Sequence, residues 1–146
     1  MPDFLSSLHE GMDSARRAEE NKKEIDNVFD ELNQQLASAT DGNVKIIRTT
    51  FRILKDDNVW GLVTMALPGN YTSYSGLGVA HTQLGLSPIE VCKWSSDKNG
   101  YPCIIEIDKR KLYCEDKESL EYNIAELLKD SSVGNAIIKM MNQVVS

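Results

Sequence analysis

The run from Asp3 to about Ala37 constrains this chain more than any other feature: it holds no proline and a single glycine, Gly11. The rest of the run is rich in Glu, Lys, Ala, Leu and Arg, which lose little rotamer freedom in a helix. One long N-terminal helix is therefore expected. Steps of three and four along it touch Leu8, Gly11, Ala15, Ala18, Lys22, Ile25, Phe29, Leu32 and Leu36. This heptad-like seam is strong from Ile25 onward and thin before it. The first half is nearly polar in surface (Arg16, Arg17, Glu19, Glu20, Lys22, Lys23), and so polar a helix cannot sink into a core. Its first turns must project or pair with another chain. Ile25, Phe29, Leu32 and Leu36 are then the expected seam of a homodimer, and packing of that second half within its own chain is the competing expectation.

Asp41-Gly42 stops the helix. Val44 to Leu54 reads as a strand, with Ile47, Thr49, Phe51 and Ile53 on one face. Asp56-Asp57-Asn58 reads as a turn, and Val59 to Leu67, apolar on both faces, as a covered second strand forming a hairpin with the first. Pro68 to Gly78 (PGNYTSYSGLG) reads as a loop, and Val79 to Gln83 as a short strand. Ile89 to Trp94, Cys103 to Ile107 and Lys111 to Cys114 complete a meander, turning at Asn99-Gly100 and at Asp108-Lys109-Arg110. Asp116-Lys117-Glu118-Ser119 opens a helix striped by Leu120, Ile124, Leu127 and Leu128. After a break at Asp130-Ser131-Ser132, a last helix carries Val133, Ala136, Ile137, Met140, Met141 and Val144 on its apolar side. The expected fold is α+β: a helical arm (1–37), an antiparallel sheet of five or six strands (44–114), and a helical pair (117–145) packed on the sheet, all in one domain.

Composition agrees with a globular chain. Its 146 residues can bury roughly two-thirds of their unfolded surface. The net charge of −6 argues against nucleic acid and anionic membranes as partners. That charge is uneven. Residues 1–40 hold nine acids and four bases, residues 43–114 nine bases and six acids, and residues 115–146 six acids and three bases. No apolar run reaches the ~18 residues of a membrane span. Met1-Pro2-Asp3-Phe4-Leu5 lacks the basic and apolar regions of a secretory signal, so the cytoplasm is the expected compartment.

Candidate chemistry is sparse. Cys92, Cys103 and Cys114 are odd in number, match no zinc spacing, and read as small buried hydrophobes. The histidines are His9, on the polar helix, and His81, near a short strand. A nucleophilic pair of His81 with Cys92 or Cys103 is the one enzymatic arrangement to consider. Glu106 and Asp108 lie two apart at a strand end, as acid/base carboxylates can, or as solvated hairpin charges do. Gly76 and Gly78 lack the third glycine and the helix of a dinucleotide fingerprint. No metal site, cofactor or catalytic residue is expected.

The loop is the candidate binding site, and an ordinary long hairpin loop whose tyrosines fold back onto the sheet is the competing expectation. Asn70, Tyr71, Ser73 and Tyr74 mix tyrosines with small polar residues, as paratopes do, because Tyr supplies contact area at low entropic cost. A nucleic-acid surface would instead draw on Lys45, Arg48, Arg52, Lys55, Lys93, Lys98, Lys109, Arg110 and Lys111, with Trp60, Trp94 and Tyr101 for stacking, if these shared a sheet face. The flanking acidic helices oppose it.

Lys93-Trp94, Asn99-Gly100-Tyr101-Pro102-Cys103 and Tyr113-Cys114-Glu115-Asp116, together with Ala18-Glu19-Glu20-Asn21-Lys22-Lys23-Glu24-Ile25, resemble small accessory proteins carried by enterobacterial prophages. The resemblance implies a non-essential phage or mobile-element protein acting on host machinery, and it carries no functional residue across. In size, acidity and α/β/α order the chain is also similar to secretion chaperones of the type III class. Those have a helix between the third and fourth strands, for which residues 83–88 are too short. The expected function is a non-catalytic interaction module that binds a host protein. A secretion-type chaperone or immunity-like inhibitor, and a small enzyme using His81 and a strand cysteine, are the alternatives.

Overall fold

The computed structural model describes residues 2–54 and 71–143. In chain order the elements are α1 (Phe4–Ala39), β1 (Val44–Leu54), β2 (Tyr71–His81), β3 (Ile89–Asp97), β4 (Gly100–Ile107), β5 (Arg110–Cys114), α2 (Lys117–Leu128) and α3 (Ser131–Met141). The strands form one antiparallel meander in the order β1-β2-β3-β4-β5. This is the α+β architecture expected. Among the described residues no helix is long and apolar enough to cross a membrane.

Local chemistry sets each helix end. Asp3 caps α1, its carboxylate accepting from the Ser6 N–H at 3.1 Å. At the other end Thr40 Oγ1 donates to the Leu36 carbonyl and accepts from the Val44 N–H, while Gly42, at φ 76°, returns its N–H to Ala37. Asp116 and Ser119 exchange bonds in a capping box at the start of α2. Asp130 caps α3 by accepting from the Ser132 N–H and hydroxyl.

The register puts the core on one face of the sheet. Val44 and Ile46 of β1, Leu77 and Val79 of β2, Cys92 and Trp94 of β3, Cys103, Ile105 and Ile107 of β4, and Cys114 of β5 form one buried layer. The helices close it with Ile25, Val28 and Phe29 from α1, Leu120, Ile124 and Leu127 from α2, and Val133, Ala136 and Met140 from α3. α1 seats on this layer through Phe29, which stands edge-on to Trp94 at 5.3 Å. The Arg48 guanidinium lies over the Phe29 ring at 4.5 Å while bonding Asp26 at 2.8 Å.

Two expectations need correction. Ile25 and Phe29 are each 3 % exposed, and Leu32 and Leu36 pack partly buried against the same core. The expected homodimer seam is thus spent inside the chain, because the sheet offers it a wall containing Trp94. Second, β1 pairs with Tyr71–His81, without interruption from Val44↔His81 to Leu54↔Tyr71. Residues 56–67, with the expected second strand, lie outside the described residues.

The segment read as a loop is therefore a strand, and its glycines do not turn it. A Cβ on Gly76 would sit 2.8 Å from the Cys92 carbonyl and 2.9 Å from the Phe51 ring, and one on Gly78 would sit 2.8 Å from Pro88. The glycines leave room for the Phe51 ring to lie across the strand. Gly76→Ala should lower the urea-unfolding free energy by about 1–3 kcal/mol, since a backbone carbonyl cannot step aside. Gly134→Ala, within α3 where an added Cβ meets nothing within 4 Å, should raise it by about 0.5–1 kcal/mol.

The caps also set an acid limit. Asp116 is held below its ordinary value near 3.8 by the Ser119 N–H and then its hydroxyl, and Asp130 by the Ser132 hydroxyl and then its N–H. A depressed folded value means that the stabilisation is complete at neutral pH and is lost as pH falls through that value, below about 4. Thermal melts from pH 7 down to pH 2 should show Asp116→Asn and Asp130→Asn variants with a shallower acid decline than the wild type.

Candidate functional site

Strand parity decides which candidate residues can meet. Phe51 and Tyr74 are direct register partners, so both face away from the helices. Their rings stack at 6.0 Å with 30° between planes. The Tyr74 hydroxyl donates to Glu90 Oε2 at 2.7 Å, and Lys93 Nζ lies 5.4 Å from the Tyr74 ring centroid. Glu90, and after it burial, pushes the phenol up to about 12, so it stays a donor throughout the neutral range. Lys93 is the register partner of Glu106, and Glu106 of Lys111, which continues a row of alternating charge across the face. Half-buried Ile47 and Thr49 flank this row on one side, and Ile104 with exposed Tyr113 on the other.

Among the described residues no element packs on this face. A shallow cleft on it is lined by Tyr74, Ser75, Lys93, Ser95, Ile104 and Glu106. It offers aromatic and aliphatic surface beside both signs of charge, the mixture that protein interfaces use at core and rim.

The four expected binding residues do not form one surface. Tyr71 and Ser73 point to the helix-bearing side of the sheet, where the Arg52 guanidinium covers the Tyr71 ring at 4.5 Å. Tyr74 points to the opposite side. Asn70 lies outside the described residues. A loop could have gathered both tyrosines, whereas an extended strand separates positions three apart.

The enzymatic arrangement is not assembled. His81 ends β2 opposite Val44, and its Nδ1 accepts from the N–H groups of Gln83 and Leu84 at 3.1 Å each. Nε2 is buried without a hydrogen-bond partner. Cys92 pairs with Leu77, four residues and about 13 Å along the strand from His81. Cys103 lies on β4, with β3 between it and β2, directly across from Cys114. Burial pushes the Cys92 and Cys103 thiols up to about 12 and raises Cys114 as well. None is a thiolate nucleophile in the neutral range. Glu106 sits on the open face, but Asp108 lies in the β4–β5 turn at φ 49°, so the two carboxylates do not share a strand face.

The basic residues are equally dispersed. Lys45, Lys93 and Lys111 lie on the open face, Arg48, Arg52 and Arg110 on the other, and Lys98 and Lys109 in turns. Trp94 is buried in the core, while Lys55 and Trp60 lie outside the described residues. Among the described residues no three His, Cys, Asp or Glu side chains are grouped to hold a metal ion. The feature that sequence reasoning missed is the Phe51–Tyr74–Glu90–Lys93 cluster. Its only signal in the sequence is the aromatic residue of β1, Phe51, and the segment expected to pair with β1 is a different one.

The chain matches no protein-family model, no curated protein and no solved structure.

The thiols give a direct check of this geometry. With native protein, an aromatic disulfide reagent at neutral pH should label Cys92, Cys103 and Cys114 orders of magnitude more slowly than in urea. Rapid native labelling of any one would mark it as an exposed nucleophile.

Proposed function

We propose that this chain is a non-catalytic interaction module that binds and modulates another protein through the open face of its sheet. The observation that carries this reading is the Phe51–Tyr74 stack, tied to Glu90 and overlain by Lys93 on a face that no described element covers. Its tyrosine is pre-ordered by a strong hydrogen bond to a carboxylate, so presenting it to a partner costs little further entropy. The charged row beside it, Lys93, Glu106 and Lys111, supplies rim contacts that select a partner by charge pattern. The buried thiols and the occupied Nδ1 of His81 favour this reading over chemistry at those groups. The host-directed accessory role implied by the prophage resemblance is compatible with such a surface.

The test is affinity capture from a bacterial lysate with the tagged chain, followed by titration of the captured protein. Phe51→Ala with Tyr74→Ala should weaken binding by about 30-fold or more, the scale of an interface hot spot. Tyr71→Ala should leave it unchanged, because Tyr71 lies on the other side of the sheet. Loss through Tyr71 with retention through Phe51 and Tyr74 would move the site to the opposite face and sink this reading.

A further inference from the structure

The first half of α1 carries a second apolar feature with no partner among the described residues. Phe4, Leu5, Leu8 and Met12 are exposed by 75, 64, 59 and 43 %, and every residue from Pro2 to Arg17 is exposed. The arm begins where the helix leaves the body, at Asn21, whose amide donates to the Asn99 carbonyl at 3.1 Å. Leu5, Leu8, Met12 and Ala15 follow a three-four-three spacing, the repeat of a coiled-coil seam. This ridge does not prolong the stripe that packs on the sheet. At 3.6 residues per turn it lies roughly a third of a turn around the helix from Ile25, Phe29 and Leu32.

We propose that this ridge pairs antiparallel with the same ridge of a second copy of the chain, the two helices crossing near Gly11. In that register Leu5 lies against the second copy's Ala15, and Leu8 against its Met12. The two-fold repeats both pairs, so four layers form without a polar residue among them. Large meets small at the ends, and a flexible methionine meets leucine in the middle. A parallel pair would set Ala15 on Ala15, leave a gap there, and follow it with Glu19 on Glu19. Antiparallel pairing also opposes the two helix dipoles. On one flank of the ridge stand Phe4, Gly11 and Ala18. Gly11 meets its own copy at the crossing, where the space beside it is open, and Phe4 covers the second copy's Ala18.

The area is enough for a modest dimer. Four side chains exposed to this degree leave roughly 400 Å² of apolar surface per copy, the size that marks interaction sites on monomers. With the flanking stems the pair buries about 1,000–1,200 Å² in total, the low end of specific association. Dissociation in the micromolar range follows.

Sedimentation equilibrium of the full chain tests this, beside disulfide trapping by glutathione disulfide. The wild type should move from monomer to dimer across roughly 1–100 μM. Leu8→Asp with Met12→Asp should stay monomeric at all concentrations and keep the urea midpoint that the wild type shows at concentrations where it is monomeric, because neither residue touches the core. Gly11→Cys should trap as a covalent dimer, and Met12→Cys should not. Trapping through Met12→Cys alone would mean parallel pairing and overturn the proposal. So would a wild type that stays monomeric, or a dimer that survives Leu8→Asp with Met12→Asp. Each of those outcomes leaves the open-face function untouched, since that rests on Phe51 and Tyr74.

Discussion

The contact between Phe29 and Trp94 holds the two layers of this protein together. Trp94 comes from the central strand of the sheet and Phe29 from the second half of α1, so their edge-on packing fixes where the long helix sits. Arg48 then bridges helix and edge strand, covering the free side of the Phe29 ring and pairing with Asp26. The ion pair is partly solvated and contributes on the order of 0–1 kcal/mol. The aromatic burial contributes several times that. Among the described residues, nothing before Arg17 is buried, and the helix continues there by its own hydrogen bonds.

Three helices cover one sheet face, and among the described residues the other is dealt with by side chains. The chain does so unevenly. Near β1 and β2 an aromatic ring lies across two glycines and shields the strand backbone, and across β3 to β5 charges of alternating sign keep the surface wetted. The change from aromatic to charged surface falls at Tyr74 and Lys93, where both kinds of contact are available within a few ångströms.

Most of the architecture was legible because local signals agreed with the fold. The helix termini were marked by Asp41-Gly42, Asp116 and Asp130, and the hairpins by Asn99-Gly100 and Asp108-Lys109. β2 was not legible, for a physical reason: Tyr71 to Gly78 has a loop's composition, and its glycines make sense only once Phe51 is known to lie opposite. The heptad spacing of Ile25, Phe29, Leu32 and Leu36 marks an apolar stripe in the sequence. A stripe does not say whether a sheet or another helix will cover it, and the deciding residue, Trp94, lies far along the chain. Parity along β1, which is legible as a strand, already separates Arg48 from Lys45, whereas parity separates Tyr71 from Tyr74 only once β2 is known to be a strand. The cluster at Tyr74 depends as well on a register shift between Leu77 and Gly78, which no local pattern announces.

The Asn33 side chain gives the structure an order of assembly. Its amide donates to the Ile46 carbonyl and accepts from the Ile46 N–H, at 2.9 and 2.8 Å, taking the place of a neighbouring strand along the outer rim of β1. This closure spans 13 residues, and the Asp26–Arg48 pair spans 22, whereas Asn21 to Asn99 and Glu24 to Tyr101 span 78 and 77. Loop-closure entropy ranks these steps, and the short loops close first. A chain leaving the ribosome can join α1 to β1 before β3 and β4 have been synthesised. Of these four closures the β3–β4 turn against Asn21 spans the longest loop, so the base of the projecting helix is set only after β3 and β4 are in place.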